Sequence, residues 1–139
     1  MLGLLSPNAS VALVHGMSRP IGLFFHVPHG LSNAMLLPAV TQFSAVAAPG
    51  RYADCARAMG VAAQDDAESV AVGKLIEGLF RRNEELEVPS PKGFGIAEER
   101  YFEVIPIMAA QALASGSPQN NPRIPSAAEI EQLYREVWK

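Results

Sequence analysis

Apolar residues along this chain recur at intervals of three and four, the period of a helix with one face turned inward, and no stretch alternates with the period of a strand. Residues 6–23 carry a dense apolar set at Val11, Leu13, Val14 and Met17. They predict a first helix, with Pro7 tolerated in its first turn and a bend at Pro20. The stretch His26-Val27-Pro28-His29-Gly30 predicts a turn, because Val27 precedes a proline and is pushed away from helical angles. A second helix is expected over residues 31–43, with Leu31, Ala34, Met35 and Ala39 on one side and a kink at Pro38. Pro49-Gly50 opens a third helix, which Gly60 stops.

Asp65-Asp66 is placed to cap a fourth helix whose apolar face is Val72, Leu75, Ile76, Leu79 and Phe80. The run Arg81-Arg82 with Glu84-Glu85 reads as a solvated face. Residues 88–93 form a loop, and a fifth helix runs from Ala97 to Leu113, interrupted or restarted at Pro106. Residues 115–122 are the longest turn-rich linker. Ser126-Ala127-Ala128-Glu129 has capping-box form and starts a last helix reaching Trp138. Short helices without strands predict an all-α fold, a compact multi-helix array formed by a single domain over residues 1–139.

Composition narrows the class. With 49% apolar and 18% charged residues the chain is of ordinary globular character. A net charge of −3 supplies no basic footprint, so nucleic acid is not an expected partner. The longest apolar runs, such as residues 11–14 and 21–25, are too short to span a bilayer, and no membrane partner is expected. The one cysteine, Cys55, cannot make an internal disulfide and sits beside Ala53 and Ala56 as a small core residue. Without a charged-then-apolar leader the chain reads as cytoplasmic. Gly93-Phe94-Gly95 completes no phosphate-binding glycine motif and follows no strand.

The candidate chemistry is concentrated in one place. All three histidines, His15, His26 and His29, fall within fifteen residues. His15 and His29 bracket the turn, and a helix–turn–helix can bring two such neutral imidazoles to one divalent metal. Their spacing is no short zinc pattern, so spacing alone leaves open ordinary core, surface or capping histidines. His26 either faces the same pocket or is a surface turn residue. Arg19 lies one helical turn after His15, where its cation either attracts a phosphate or carboxylate or pairs with an acid. Phe24 and Phe25 read as core, and Asn33 as a packing hydrogen bond instead of a ligand.

The wording of the segment goes further. His15-Gly16-Met17, Pro20, Gly22 and Pro28-His29-Gly30-Leu31-Ser32-Asn33-Ala34-Met35-Leu36-Leu37-Pro38 resemble the iron-dependent (group III) alcohol dehydrogenases, in the helical C-terminal domain shared with dehydroquinate synthase-like enzymes. The likeness continues through Arg51-Tyr52-Ala53-Asp54-Cys55-Ala56-Arg57-Ala58-Met59-Gly60 and Asn121-Pro122-Arg123. The resemblance implies that His15 and His29 are metal ligands, for Fe²⁺ or alternatively Zn²⁺. It also implies hydride transfer between a small alcohol or aldehyde and NAD or NADP. Many members carry a second histidine one turn after the first, where this chain has Arg19, which cannot act as a base near neutral pH. Proton transfer or nicotinamide contact would then fall to His26 or Arg19. The family's other two ligands, an aspartate and a histidine, and its nicotinamide-binding half lie upstream of the matching part. The chain therefore resembles about the last third of such an enzyme, with an N-terminal nucleotide-binding half as partner, a homo-oligomeric state, and little activity in isolation. The competing expectation is a non-enzymatic helical remnant or subunit that dimerises or docks to a separate nucleotide-binding chain.

Overall fold

A computed structural model of the protein describes residues 10–116 and 123–139, with side chains from residue 13 onward. Seven helices and no strands are found among the described residues: α1 (Ser10–Phe25), α2 (His29–Ala45), α3 (Pro49–Ala58), α4 (Glu68–Glu85), α5 (Pro91–Phe94), α6 (Glu98–Ala114) and α7 (Ala127–Val137). The all-α expectation holds. The start of the first helix and most of the 115–122 linker lie outside the described residues. None of the described helices is long and apolar enough to cross a membrane.

The main core is built where α1, α2, α6 and α7 meet. Leu13, Met17 and Ile21 of α1 lie three and four residues apart and are fully buried, as are Leu36, Val40, Met108 and Ile130. Each such side chain contributes roughly 1.5–3 kcal/mol by leaving water. Two tyrosines tie this core across long sequence distances. The Tyr134 hydroxyl donates to the Met17 carbonyl at 2.6 Å, and the Tyr101 hydroxyl donates to the Tyr134 carbonyl at 2.7 Å. The Trp138 ring lies 5.0 Å from that of Tyr101, tilted by 34°. A second, smaller core joins α3 to α4 through Tyr52, Ala53, Ala56, Ala71 and Leu75.

The helices run through their prolines, as expected at Pro20 and Pro38 but without the interruption expected at Pro106. α1 continues five residues beyond Pro20, α2 runs through Pro38 and α6 runs through Pro106. A mid-helix proline leaves the carbonyl four residues earlier without its helical donor. For Pro38 that carbonyl belongs to Ala34, and Asn83 of α4 supplies the missing donor, its Nδ2 lying 2.8 Å from the Ala34 oxygen. Pro106 lies on the exposed side of α6, one turn after the half-buried Phe102 whose carbonyl it leaves without a helical donor. Pro20 is buried between Met17 and Ile21, and the packing of those neighbours carries the helix onward.

Other expectations shift as well. α2 has no single apolar side: Met35, Leu36, Val40, Ser32, Thr41 and Ser44 are all buried, whereas Leu31, Ala34 and Ala39 are half-buried. α2 is enclosed by α1, α4 and α7, so several of its faces meet other helices. Asp65-Asp66 does not cap α4, whose N-cap is Ala67 and which begins at Glu68 without a side-chain cap. Asp66 instead accepts from the Ala63 N–H and from Lys74, and that lysine first, then the backbone bond, holds its carboxyl below the usual range. Phe80 is not part of the inner face of α4 but is 47% exposed. The loop at 88–93 contains the short α5, capped by Ser90 and stopped by Gly95 in the left-handed conformation at φ 106°. The stop at Gly60 (φ 79°) and the capping box of Ser126 and Glu129 are present as expected.

Candidate functional site

The chain reversal between α1 and α2 creates the site. α1 ends at Phe25, and His26 then adopts a left-handed conformation at φ 57°, its N–H bonded to the Gly22 carbonyl at 2.9 Å. Few residues other than glycine tolerate this angle, and histidine is among those enriched there. Val27 is buried, and its carbonyl oxygen would lie 3.5 Å from a β-carbon placed on Gly22, so the connecting strand of chain runs back along α1. Pro28 then leads directly into α2, which starts at His29. The turn is thus residues 26–28, shorter than the sequence reading, with His29 and Gly30 already helical.

That path brings the first residue of α2 beside the middle of α1. The rings of His15 and His29 stack with centroids 5.2 Å apart and planes 13° from parallel. Both residues are exposed on one side of the helix pair. Beneath them the helices are lined by small residues. Ser18 and Ser32 are buried, and each returns its hydroxyl to the carbonyl of the histidine three residues earlier, at 3.3 Å and 3.0 Å. Such back-bonding satisfies both hydroxyls without requiring space between the helices.

Two imidazoles bound to one ion at about 2.0–2.1 Å and near-tetrahedral angles would have centroids roughly 5 Å apart. The centroid separation matches such a pair. Because a bound ion lies in the imidazole plane, rings stacked 13° from parallel must turn about their side-chain bonds to share one. The open side leaves room for that and for further donors. Among the described residues no group of three or more His, Cys, Asp or Glu side chains is poised to hold a metal. The pair therefore fits half of a coordination shell.

The other candidates fall at different distances from this pair. Arg19, exposed and one turn after His15, lines a cavity of about 260 Å³ together with Ser18, Gly22, Leu23, Val27 and His29. A neighbouring cavity of about 360 Å³ shares Arg19 and Leu23 and extends to Gln111 of α6. His26 is exposed but lines neither cavity. Phe24 and Phe25 are half-buried against the main core, Phe25 lying 5.9 Å from Tyr101, as a core reading requires. Asn33 does not make the packing hydrogen bond expected of it: its buried Oδ1 is without a partner, one turn along α2 from His29. Cys55 is buried in α3, its thiol 3.7 Å from the Met59 sulfur and pushed up in pKa by burial, in keeping with a small core residue. The wall residues Ser18, Gly22, Leu23 and Val27 were not among the sequence candidates. The one hint of them was two small residues four apart on α1.

Comparison with known proteins places the family and the fold. Residues 2–138 match the family described as "Fe-containing alcohol dehydrogenase family, C-terminal". The chain is 34% identical over 132 residues to lactaldehyde reductase of Escherichia coli (strain K12), covering 94% of this chain and 34% of that protein. It is 30% identical over 139 residues to 1,3-propanediol dehydrogenase of Citrobacter freundii, covering 99% and 35%. Among solved structures, a 1,3-propanediol oxidoreductase superposes with a TM-score of 0.81 at 30% identity over 90% of this chain and 32% of that one. The iron-containing alcohol dehydrogenase of Thermococcus thioreducens superposes with a TM-score of 0.76 at 32% identity, over 91% and 31%. The chain thus spans about a third of the length of the curated relatives it matches.

Proposed function

The chain belongs to the Fe-containing alcohol dehydrogenase family, matching its C-terminal part, and on that premise we propose that it forms the metal-holding helical wall of an NAD(P)-dependent alcohol dehydrogenase. The observation that carries the reading is the meeting of His15 and His29, fourteen positions apart in sequence, on one exposed face. In this reading residues 1–139 are a single helical domain, and the substrate is a small alcohol or its aldehyde. The relatives' own names, lactaldehyde reductase and 1,3-propanediol dehydrogenase, point to small oxygenated substrates of that kind.

His15 and His29 would hold the ion through neutral ring nitrogens, each needing an acceptor for its remaining N–H. When bound, a divalent ion such as Fe²⁺ or Zn²⁺ supplies Lewis acidity toward the alcohol oxygen, and a nicotinamide dinucleotide supplies hydride exchange. The chain's own residues do the positioning. The buried serines and Gly22 let α1 and α2 approach so that both rings face the same side. Leu23 and Val27 give the adjoining cavity apolar walls on which the substrate's carbon chain would lie. Arg19 stands at its edge and cannot serve as a base. The remaining donors and the dinucleotide site come from outside the described residues, in a nucleotide-binding half that packs on this face. A cytoplasmic, homo-oligomeric enzyme is part of the same proposal.

The test is metal binding by the 139-residue chain. Titration with Fe²⁺ under anaerobic conditions, and separately with Zn²⁺, is expected to show binding weaker than that of a complete family member, since catalytic sites ordinarily use three or more protein ligands. His15→Ala and His29→Ala should each abolish it. Binding unchanged in both variants would place the ion elsewhere and end the reading.

A further inference from the structure

Most of the chain's arginines are already engaged. Arg57, Arg81, Arg100, Arg123 and Arg135 each pair with a carboxylate at between 2.7 and 3.4 Å. Arg19 pairs with none among the described residues, yet it is the cation that stands between the two cavities beside the histidines. Neither cavity has an aspartate or glutamate in its wall. The mouth therefore combines a permanent positive charge, the His29 imidazole with His15 stacked on it, and apolar flanks, with no carboxylate in its wall. A divalent ion held by the histidines would deepen that imbalance, because cations one helical turn apart repel unless an anion lies between them.

Resting on the dehydrogenase reading above, we propose that Arg19 determines specificity: the cavity beside His29 takes an alcohol or aldehyde that also carries a carboxylate, and Arg19 receives that carboxylate. A guanidinium offers two parallel N–H donors that match a carboxylate's two oxygens, which a lysine or a neutral polar residue does not. The cavity of about 260 Å³ suits a molecule of a few carbons, with the carboxylate at Arg19 and the hydroxyl end directed to the histidine pair. A short hydroxy acid spans such a gap, whereas a simple diol leaves the guanidinium with water only.

The test needs neither turnover nor bound metal. The metal-free 139-residue chain, labelled with ¹⁵N, is titrated at low ionic strength with 3-hydroxypropionate, with 1,3-propanediol and with inorganic phosphate while amide and arginine Nε–H signals are followed. The hydroxy acid should move the Arg19 side-chain signal and the Gly22 and Val27 amides in a saturable way that high salt weakens. The diol should not. Arg19→Gln, an exposed replacement whose fold is confirmed by the rest of its spectrum, should weaken hydroxy-acid binding at least about tenfold, the loss of one charge-assisted contact. Arg19→Lys should retain part of it. Equal response to acid and diol, response to phosphate alone, or an unchanged response in Arg19→Gln would each overturn the proposal. His15→Ala separates the two readings: it removes the metal pair but leaves Arg19, so carboxylate binding should persist there even if no metal is ever bound.

Discussion

At the scale of single residues, the informative contrast lies among the three histidines. His15 and His29 meet through their rings, whereas the distinguishing feature of His26 is its backbone, held at φ 57° to turn the chain after α1. A side chain at that angle costs roughly 1–2 kcal/mol that glycine avoids. His26→Gly is therefore expected to fold with unchanged or slightly raised stability and to bind metal as the parent does. His26→Val, β-branched at a positive φ, should lose about 1 kcal/mol or more. Denaturant melts and metal titrations of the two variants check both statements, and lost metal affinity in His26→Gly would give the ring itself a role. The pairing of His15 with His29 was legible because a dense local motif surrounds both. The backbone task of His26 and the cavity beside Arg19 were not, since each depends on the direction the chain takes after the turn. No periodicity or spacing encodes that direction.

Helices were legible where pattern and punctuation agreed. The spacing of Leu13 and Met17, the capping box at Ser126 and the stop at Gly60 all describe local physics, and each element stands where they place it. Only the break expected at Pro106 is absent, and how each proline's orphaned carbonyl is met was not legible, because that depends on what lies opposite it, which is tertiary information. Pro38 shows this most directly. Asn83, inside a stretch that is otherwise a solvated face, donates to the Ala34 carbonyl that Pro38 leaves unmet. Asn83→Ala should thus destabilise by about 1–2 kcal/mol, the cost of a part-buried acceptor without a donor. In a Pro38→Ala background the alanine N–H restores the helical bond, so the same Asn83 substitution should cost measurably less. A double-mutant cycle by urea denaturation reads the coupling, expected at about 0.5–1.5 kcal/mol. Strict additivity would mean that Asn83 acts through something other than this carbonyl.

The molecule as a whole is held by contacts between its two ends, since Tyr134 of α7 reaches the carbonyl of Met17 in α1 and Tyr101 reaches Tyr134. Burial pushes both tyrosine hydroxyls up in pKa, and the neighbouring Tyr101 adds to the effect on Tyr134. The folded chain then keeps protons that the unfolded chain releases above about pH 10, so stability should fall as pH rises past that point. Denaturation followed from pH 8 to 11 should show the fall, and Tyr134→Phe should flatten it while starting lower, having lost its bond to Met17. The same integrity explains what the chain does alone. Its helices hold both histidine rings on one face without help, but hydride transfer needs the nicotinamide held against the reacting carbon. No described segment offers a strand followed by a glycine-rich helix start. On the proposed reading the site is one wall of a cleft, and ligand sites favour the junction between such walls. We therefore expect the 139-residue chain, supplied with Fe²⁺ and NAD or NADP, to give no measurable oxidation of primary or secondary alcohols. Adding a separately expressed nucleotide-binding half from a homologous enzyme should restore turnover, and His15→Ala should remove it again. Robust activity from the chain alone, sensitive to His15→Ala, would show that these helices hold the dinucleotide themselves.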